Sequence, residues 1–133
     1  NSVMREDEDG GIEVEVVPLD EVVPSGRTCW MKVDVEGFEM DVIQGATRVL
    51  REVGGLVIEL NGAGEKFGNP DDKVRDALVE SGFVEVRYSP TSRVIQPAIA
   101  VGDNAFFVRL DQYKKIESRL KSAPYHCVRG VKF

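Results

Sequence analysis

The chain has 133 residues, of which 23 are acidic and 17 basic, for a formal net charge of -6; hydrophobic residues make up 42% and charged residues 30%. That length and balance suit one globular domain with a real core and exclude a largely disordered chain. The negative charge argues against nucleic acid as a partner, which needs a positive stripe, and the Lys114-Lys115 pair is too short to reverse it.

No apolar run approaches the roughly 20 residues of a bilayer span, and no basic-then-apolar leader precedes the domain. A cytoplasmic protein without membrane contact is the expectation. Cys29 and Cys127 are too few for a disulfide framework and match no zinc spacing, so reduced thiols are expected. His126 adjoins Cys127, but neighbours in the chain do not make a catalytic pair.

Residues 1–11 are polar and acidic, through Glu6-Asp7-Glu8-Asp9, and are expected to form a linker or loose end before a domain over 12–133. Ile12, Val14 and Val16 alternate with Glu13 and Glu15, the period of a half-buried strand. Residues 19–23 follow Pro18 as a single short turn. A second strand is predicted over 30–35 and leads directly into Glu36-Gly37.

From Phe38 the apolar period becomes helical. Phe38, Val42, Ala46, Val49, Leu50 and Val53 share one face, with Glu39, Asp41, Arg48, Arg51 and Glu52 turned outward. Gly45 inside this helix costs roughly 1 kcal/mol against alanine, and close approach of helix to sheet would explain it. Gly54-Gly55 stops the helix. The nearly all-apolar run over 56–60 is expected to be a central strand.

The next helix starts at Asn69-Pro70-Asp71-Asp72, with a cap, a proline and first-turn carboxylates. Val74, Ala77, Leu78 and Val79 form its buried face. Val84, Val86 and Tyr88 mark a further strand, 89–104 a long connection with extended pairing around 98–101, and 105–108 a last strand. A weaker amphipathic helix spans 111–120. Alternation of strand and helix predicts an α/β fold with a mostly parallel sheet. The last strand follows without a helix and is expected as an antiparallel edge.

Ligands of open parallel sheets bind beyond the carboxyl ends of the strands. Two predicted strand ends carry carboxylates, Asp34-Val35-Glu36-Gly37 and Glu59-Leu60-Asn61. In extended chain Asp34 and Glu36 face the same side. If the strands are neighbours, Asp34, Glu36, Glu59 and Asn61 converge, as a cluster able to take a proton from a hydroxyl, hold a divalent cation or attract a cationic ligand. Glu36 could equally complement the front of the following helix. Asp34, between Val33 and Val35, is expected to be buried and so to need a partner. The loop Gly62-Ala63-Gly64-Glu65-Lys66-Phe67-Gly68 lies between strand and helix, but its glycine spacing is wrong for a dinucleotide fingerprint. A flexible rim loop is expected instead.

Four stretches, taken together, resemble a known family. Val17-Pro18-Leu19-Asp20-Glu21-Val22, Met31-Lys32-Val33-Asp34-Val35-Glu36-Gly37-Phe38-Glu39, Val42-Ile43-Gln44-Gly45-Ala46 and Leu56-Val57-Ile58-Glu59 are similar, in order and spacing, to the FkbM-type S-adenosylmethionine-dependent methyltransferases. The resemblance implies a Rossmann-like methyltransferase fold with 30–35 and 56–60 as its fourth and fifth strands. It also implies an antiparallel last strand and methyl transfer from S-adenosylmethionine to an oxygen of a sugar or other hydroxylated small molecule.

By the same resemblance Asp34, Glu36 and Glu59 are candidate catalytic residues and Asn61 a candidate substrate contact, with no metal assigned. Such proteins grip the donor with a glycine-rich turn after the first strand and an acidic residue after the second. Only eleven residues precede Ile12, so the N-terminal half of the fold is expected to be absent and the chain alone inactive. The competing expectation is a non-catalytic interaction module that forms a homodimer through an exposed sheet edge.

Overall fold

The computed structural model describes residues 14–26, 30–125, 127–128 and 130–132. Ile12, Glu13, Cys29, His126 and the acidic segment 1–11 lie outside the described residues, as does the start of the first predicted strand; residues 14–18 are irregular, with Val14, Val16 and Val17 exposed. The chain then forms α1 (Leu19–Val22), β1 (Trp30–Val33), α2 (Glu39–Gln44), α3 (Thr47–Glu52) and β2 (Gly55–Glu59). A 3-10 helix (Ala63–Phe67) leads to α4 (Asp71–Glu80), β3 (Phe83–Ser89), β4 (Val94–Pro97), β5 (Asn104–Arg109) and α5 (Tyr113–Ser122). The final segment pairs β6 (Cys127–Val128) with β7 (Val131–Lys132) in a small separate sheet.

The main sheet has the order β1-β2-β5-β3-β4. Only β1 and β2 pair in parallel; β2 with β5, β5 with β3 and β3 with β4 are antiparallel. The expected mostly parallel sheet is therefore corrected to a mixed one. β1, β2 and β3 do point the same way, because β5 runs against both β2 and β3. The antiparallel strand is not an edge but sits between them, its Ala105, Phe107 and Val108 buried. With no helix between β3 and β5, the chain turns back through the β3–β4 hairpin and inserts instead of crossing over. Extended pairing expected around 98–101 occurs earlier, over Val94–Pro97.

The core gathers Val33, Leu50, Val53, Leu56, Ile58, Val74, Leu78 and Phe107, all buried. Val79, placed on the buried face by periodicity, is exposed, and Tyr88 is also exposed. The helix start at Asn69-Pro70 shifts by one: Pro70 is the cap residue, and the Asn69 side chain instead receives a hydrogen bond from Lys73 Nζ at 3.0 Å.

The largest departure lies between 38 and 53, where one helix becomes two. α2 ends at Gln44 and α3 begins at Thr47, with Gly45-Ala46 between them. The break lies against α1. An added Cβ on Gly45 would sit 3.4 Å from Pro18 Cα, an ordinary contact, and Asp20 N–H donates to Gly45 O at 3.0 Å. Gly45 thus faces the segment leading into α1 and not the sheet. Asp20 then supplies the front of the new helix, its Oδ2 accepting from Arg48 N–H at 2.8 Å and its Oδ1 from Val49 N–H at 2.9 Å. Arg48 returns the contact, donating to Asp20 O at 2.7 Å and Val23 O at 2.6 Å.

Candidate functional site

Parallel pairing of β1 and β2, with Val33 beside Ile58, brings the carboxyl ends of both strands to one edge. Asp34, Glu36 and Glu59 meet there, each offering a carboxylate oxygen within 4.8 Å of the others. Asn61 is not in that trio. Its Oδ1 accepts from Ala63 N–H at 2.9 Å, so its side-chain oxygen is turned into its own loop at the rim.

The convergence does not arise as extended chain would produce it. β1 ends at Val33, and Glu36 has φ 53, in the left-handed region, followed by Gly37 at φ 107. A non-glycine residue there is disfavoured by about 1–2 kcal/mol, so the surrounding structure holds the turn. A Cβ on Gly37 would meet Ala63 O at 2.7 Å, and only glycine lets the turn seat against the 3-10 helix. Phe38 stacks on Phe67 across the same contact, ring centroids 4.7 Å apart.

Asp34 is exposed, not buried, because it stands one residue beyond the strand. Its partner is the Lys32 ammonium on the same side of the chain. Glu59 is half-buried at the end of β2. The two carboxyls titrate in opposite directions. The hydrogen bond with Lys32, then that with Glu59, holds Asp34 below its ordinary value. A hydrogen bond to Asp34 and its charge, with burial and the charge of Glu36 adding, push Glu59 up. Lys32 is raised by its bond to Asp34. Like charges gathered at one edge disfavour joint ionisation, and here the shift falls upward on Glu59 and downward on Asp34.

Glu39 departs most from its predicted place. Helical periodicity turns it outward, yet it is 5% exposed, and its Oε1 accepts from Gly37 N–H at 3.1 Å. The amide behind Glu36 is thus met by Glu39. The only sequence signal was a carboxylate three residues after Glu36, at the first position of a helix.

The glycine loop 62–68 is a 3-10 helix between Gly62 and Gly68, both left-handed. Gly64 has no room for a side chain, since a Cβ would lie 2.2 Å from Asn69 O. Gly62 N–H donates to the Asp71 carboxylate at 3.2 Å. Of the loop glycines, Gly64 serves close packing, while Gly62 and Gly68 supply the left-handed turns at the two ends of the 3-10 helix.

A separate apolar trough of about 1160 Å³ opens beside β1, lined among others by Val17, Leu19, Met31, Val35, Phe38 and Val42. The three carboxylates do not line it. Trp30 stands at its margin, 57% exposed. The carboxylate trio therefore sits at the strand ends and this trough beside the outer strand. Among the described residues no helix is long and apolar enough to cross a membrane.

Fold and site together define a mixed α/β domain with a carboxylate trio at the ends of two parallel strands. A family model described as the methyltransferase FkbM domain matches residues 1–85, and the chain belongs to that family. No curated protein and no solved structure gives a significant match.

Proposed function

We propose that the protein transfers a methyl group from S-adenosylmethionine to a hydroxyl oxygen of a sugar or another hydroxylated small molecule, with the carboxylate trio on the acceptor side. The observation that carries this reading is the convergence of Asp34, Glu36 and Glu59 at the ends of two parallel strands, each with a carboxylate oxygen within 4.8 Å of the others, where Glu59 is shifted up and Asp34 down. A raised carboxyl is a better proton acceptor near neutral pH than an ordinary one. Glu59 is placed to take the proton of the acceptor hydroxyl; with the donor bound, methyl transfer to that oxygen would break the donor's carbon–sulfur bond and release S-adenosylhomocysteine. Asp34, kept ionised by Lys32, shares that proton with Glu59 once it has moved. Asn61 contributes its side-chain amide to acceptor binding at the rim. The acidic trio fits the cationic end of the donor by charge; when bound, the donor supplies the electrophilic methyl group.

Three carboxylates this close could also bridge a cation, but exposed acidic trios occur without one, so no metal is assigned. By the same reading residues 12–133 alone hold the donor weakly. Calorimetric titration of the 133-residue chain with S-adenosylmethionine checks that point, and a dissociation constant of about 1 µM or tighter, some 8 kcal/mol of binding free energy, would overturn it. The activity itself is tested with radiolabelled S-adenosylmethionine and a panel of monosaccharides and polyols, using the protein at its natural length. Transfer to a hydroxyl that is lost in Glu59→Gln supports the reading; transfer only to nitrogen or sulfur acceptors sinks it.

A second reading, an interaction module, draws on the trough and on β1, which pairs on one side only among the described residues. Antiparallel pairing of two copies about Val33 would set Lys32 of one copy opposite Asp34 of the other, a complementary contact. Sedimentation over a range of concentrations decides: a dimer abolished by Lys32→Glu supports it, and a monomer throughout removes it.

A further inference from the structure

We propose that Glu39 is a positioning residue, whose buried carboxylate holds the turn that delivers Glu36 to Asp34 and Glu59. The inference rests on reading that trio as the reactive side of the methyl-transfer site.

Glu39 and Arg93 are the buried charged residues among those described. Arg93 has an evident structural duty, since its guanidinium donates to Leu120 O and Ala123 O at the end of α5 and lies over the Tyr125 ring. Glu39 has a different setting. It opens α2, a helix of six residues, where a carboxylate would complement the helix front from an exposed position. Asp41, in the same first turn, is exposed. Burying a carboxylate instead gives up hydration and requires a compensating bond. The bond Glu39 makes goes to Gly37 N–H at 3.1 Å, an amide of the turn and not of the helix.

That turn is the unfavourable stretch of the site. Glu36 at φ 53 and Gly37 at φ 107 are consecutive residues in positive-φ conformations. The turn is closed by its own hydrogen bond from Phe38 N–H to Val35 O at 3.3 Å, and Ala63 walls off Gly37 on the far side. The Glu39 bond fixes the peptide that follows Glu36. With it gone, Glu36 can relax to an ordinary backbone conformation and swing its carboxylate away from Glu59.

Glutamates labelled at 13Cδ in the protein at its natural length report this through the titration of Glu59, which Asp34, Glu36 and Lys32 face. Glu39→Gln retains an oxygen acceptor for Gly37 N–H, whereas Glu39→Ala does not. Glu39→Asp keeps the charge but is one methylene too short to make the same bond, and it stands in should the alanine variant fail to fold. The expected result is a small downward shift of the Glu59 midpoint in the Ala and Asp variants, small because Asp34 still holds it up, and no shift in the Gln variant. Methyl transfer to the panel of monosaccharides and polyols should fall roughly tenfold to hundredfold in kcat with Ala or Asp, the scale expected when a reacting group is misplaced by about 1 Å, and recover with Gln.

An unchanged Glu59 midpoint in folded Glu39→Ala or Glu39→Asp would overturn the proposal. So would a Gln variant that behaves like the alanine one. If the midpoint responds as expected while Glu36→Gln and Glu59→Gln leave methyl transfer untouched, the positioning by Glu39 stands and the assignment of the trio as reactive groups fails.

Discussion

Asp20 and Glu59 are both acidic residues in stretches that carry the family resemblance, yet the fold treats them oppositely. Each carboxylate oxygen of Asp20 accepts a backbone amide at the front of α3, from Arg48 and Val49. Those bonds hold its pKa down, so the charge is welcome in the folded state. Glu59 faces Asp34 first and Glu36 behind it; the hydrogen bond with Asp34 and its charge, with burial and the charge of Glu36 adding, push its pKa up. One site uses its carboxylate to join α1 to α3. The other gathers carboxylates that repel one another. A satisfied acid is a structural tie, and an unsatisfied group of acids is a place for chemistry.

Substitutions that separate turnover from stability test this contrast most strongly. Asp34→Asn or Glu59→Gln is expected to lower methyl transfer by about 10²-fold or more, the usual contribution of a general base, in radiolabel assays with the protein at its natural length. Glu59→Gln should at the same time leave the Tm at neutral pH unchanged or slightly higher, because it removes a repelled charge. A marked fall in Tm with unchanged turnover would assign Glu59 to structure instead.

Asp20→Ala should do the reverse. The Tm drops by several degrees in calorimetry, since two amides of α3 lose their partner, while turnover per folded molecule measured well below the transition is unchanged. A loss of turnover without a loss of Tm would contradict the division between the two sites.

The smallest effects are those of pH on stability, and they carry opposite signs. Asp20 has a folded pKa below its ordinary 3.8, so its contribution is complete above that value and is lost as pH falls through the lower folded one. Glu59 has a folded pKa above its ordinary 4.5, so its contribution is complete below that value and is lost as pH rises through the higher folded one. Urea unfolding midpoints across acid pH should show Asp20→Asn flattening the acid limb and Glu59→Gln flattening the limb above 4.5. Turnover that depends on ionised Glu59 should rise over that same upper window.

Much of this was open to reading from the chain alone. The apolar run that becomes β2, the Trp30–Val33 strand and the Asp71–Glu80 helix follow from period and composition, because side-chain alternation and capping are local properties. The family resemblance and the three carboxylates were likewise present as ordered motifs.

Tertiary structure decided what depends on neighbours far apart in sequence. Periodicity carried one helix through Gly45, but α1 lies against that glycine and Asp20 starts a second helix. Alternation suggested a parallel sheet, but strand neighbours are set by pairing across the chain, and β5 entered between β2 and β3. Asp34 and Glu36 were expected to converge because extended residues two apart share a face. They converge instead through a left-handed turn, backed by a buried Glu39 that periodicity had turned to solvent. The sequence by itself determined which acids stand at the strand ends. Only the packing of α1, the 3-10 helix and α2 around them decided which acid is met by backbone amides and which faces other carboxylates.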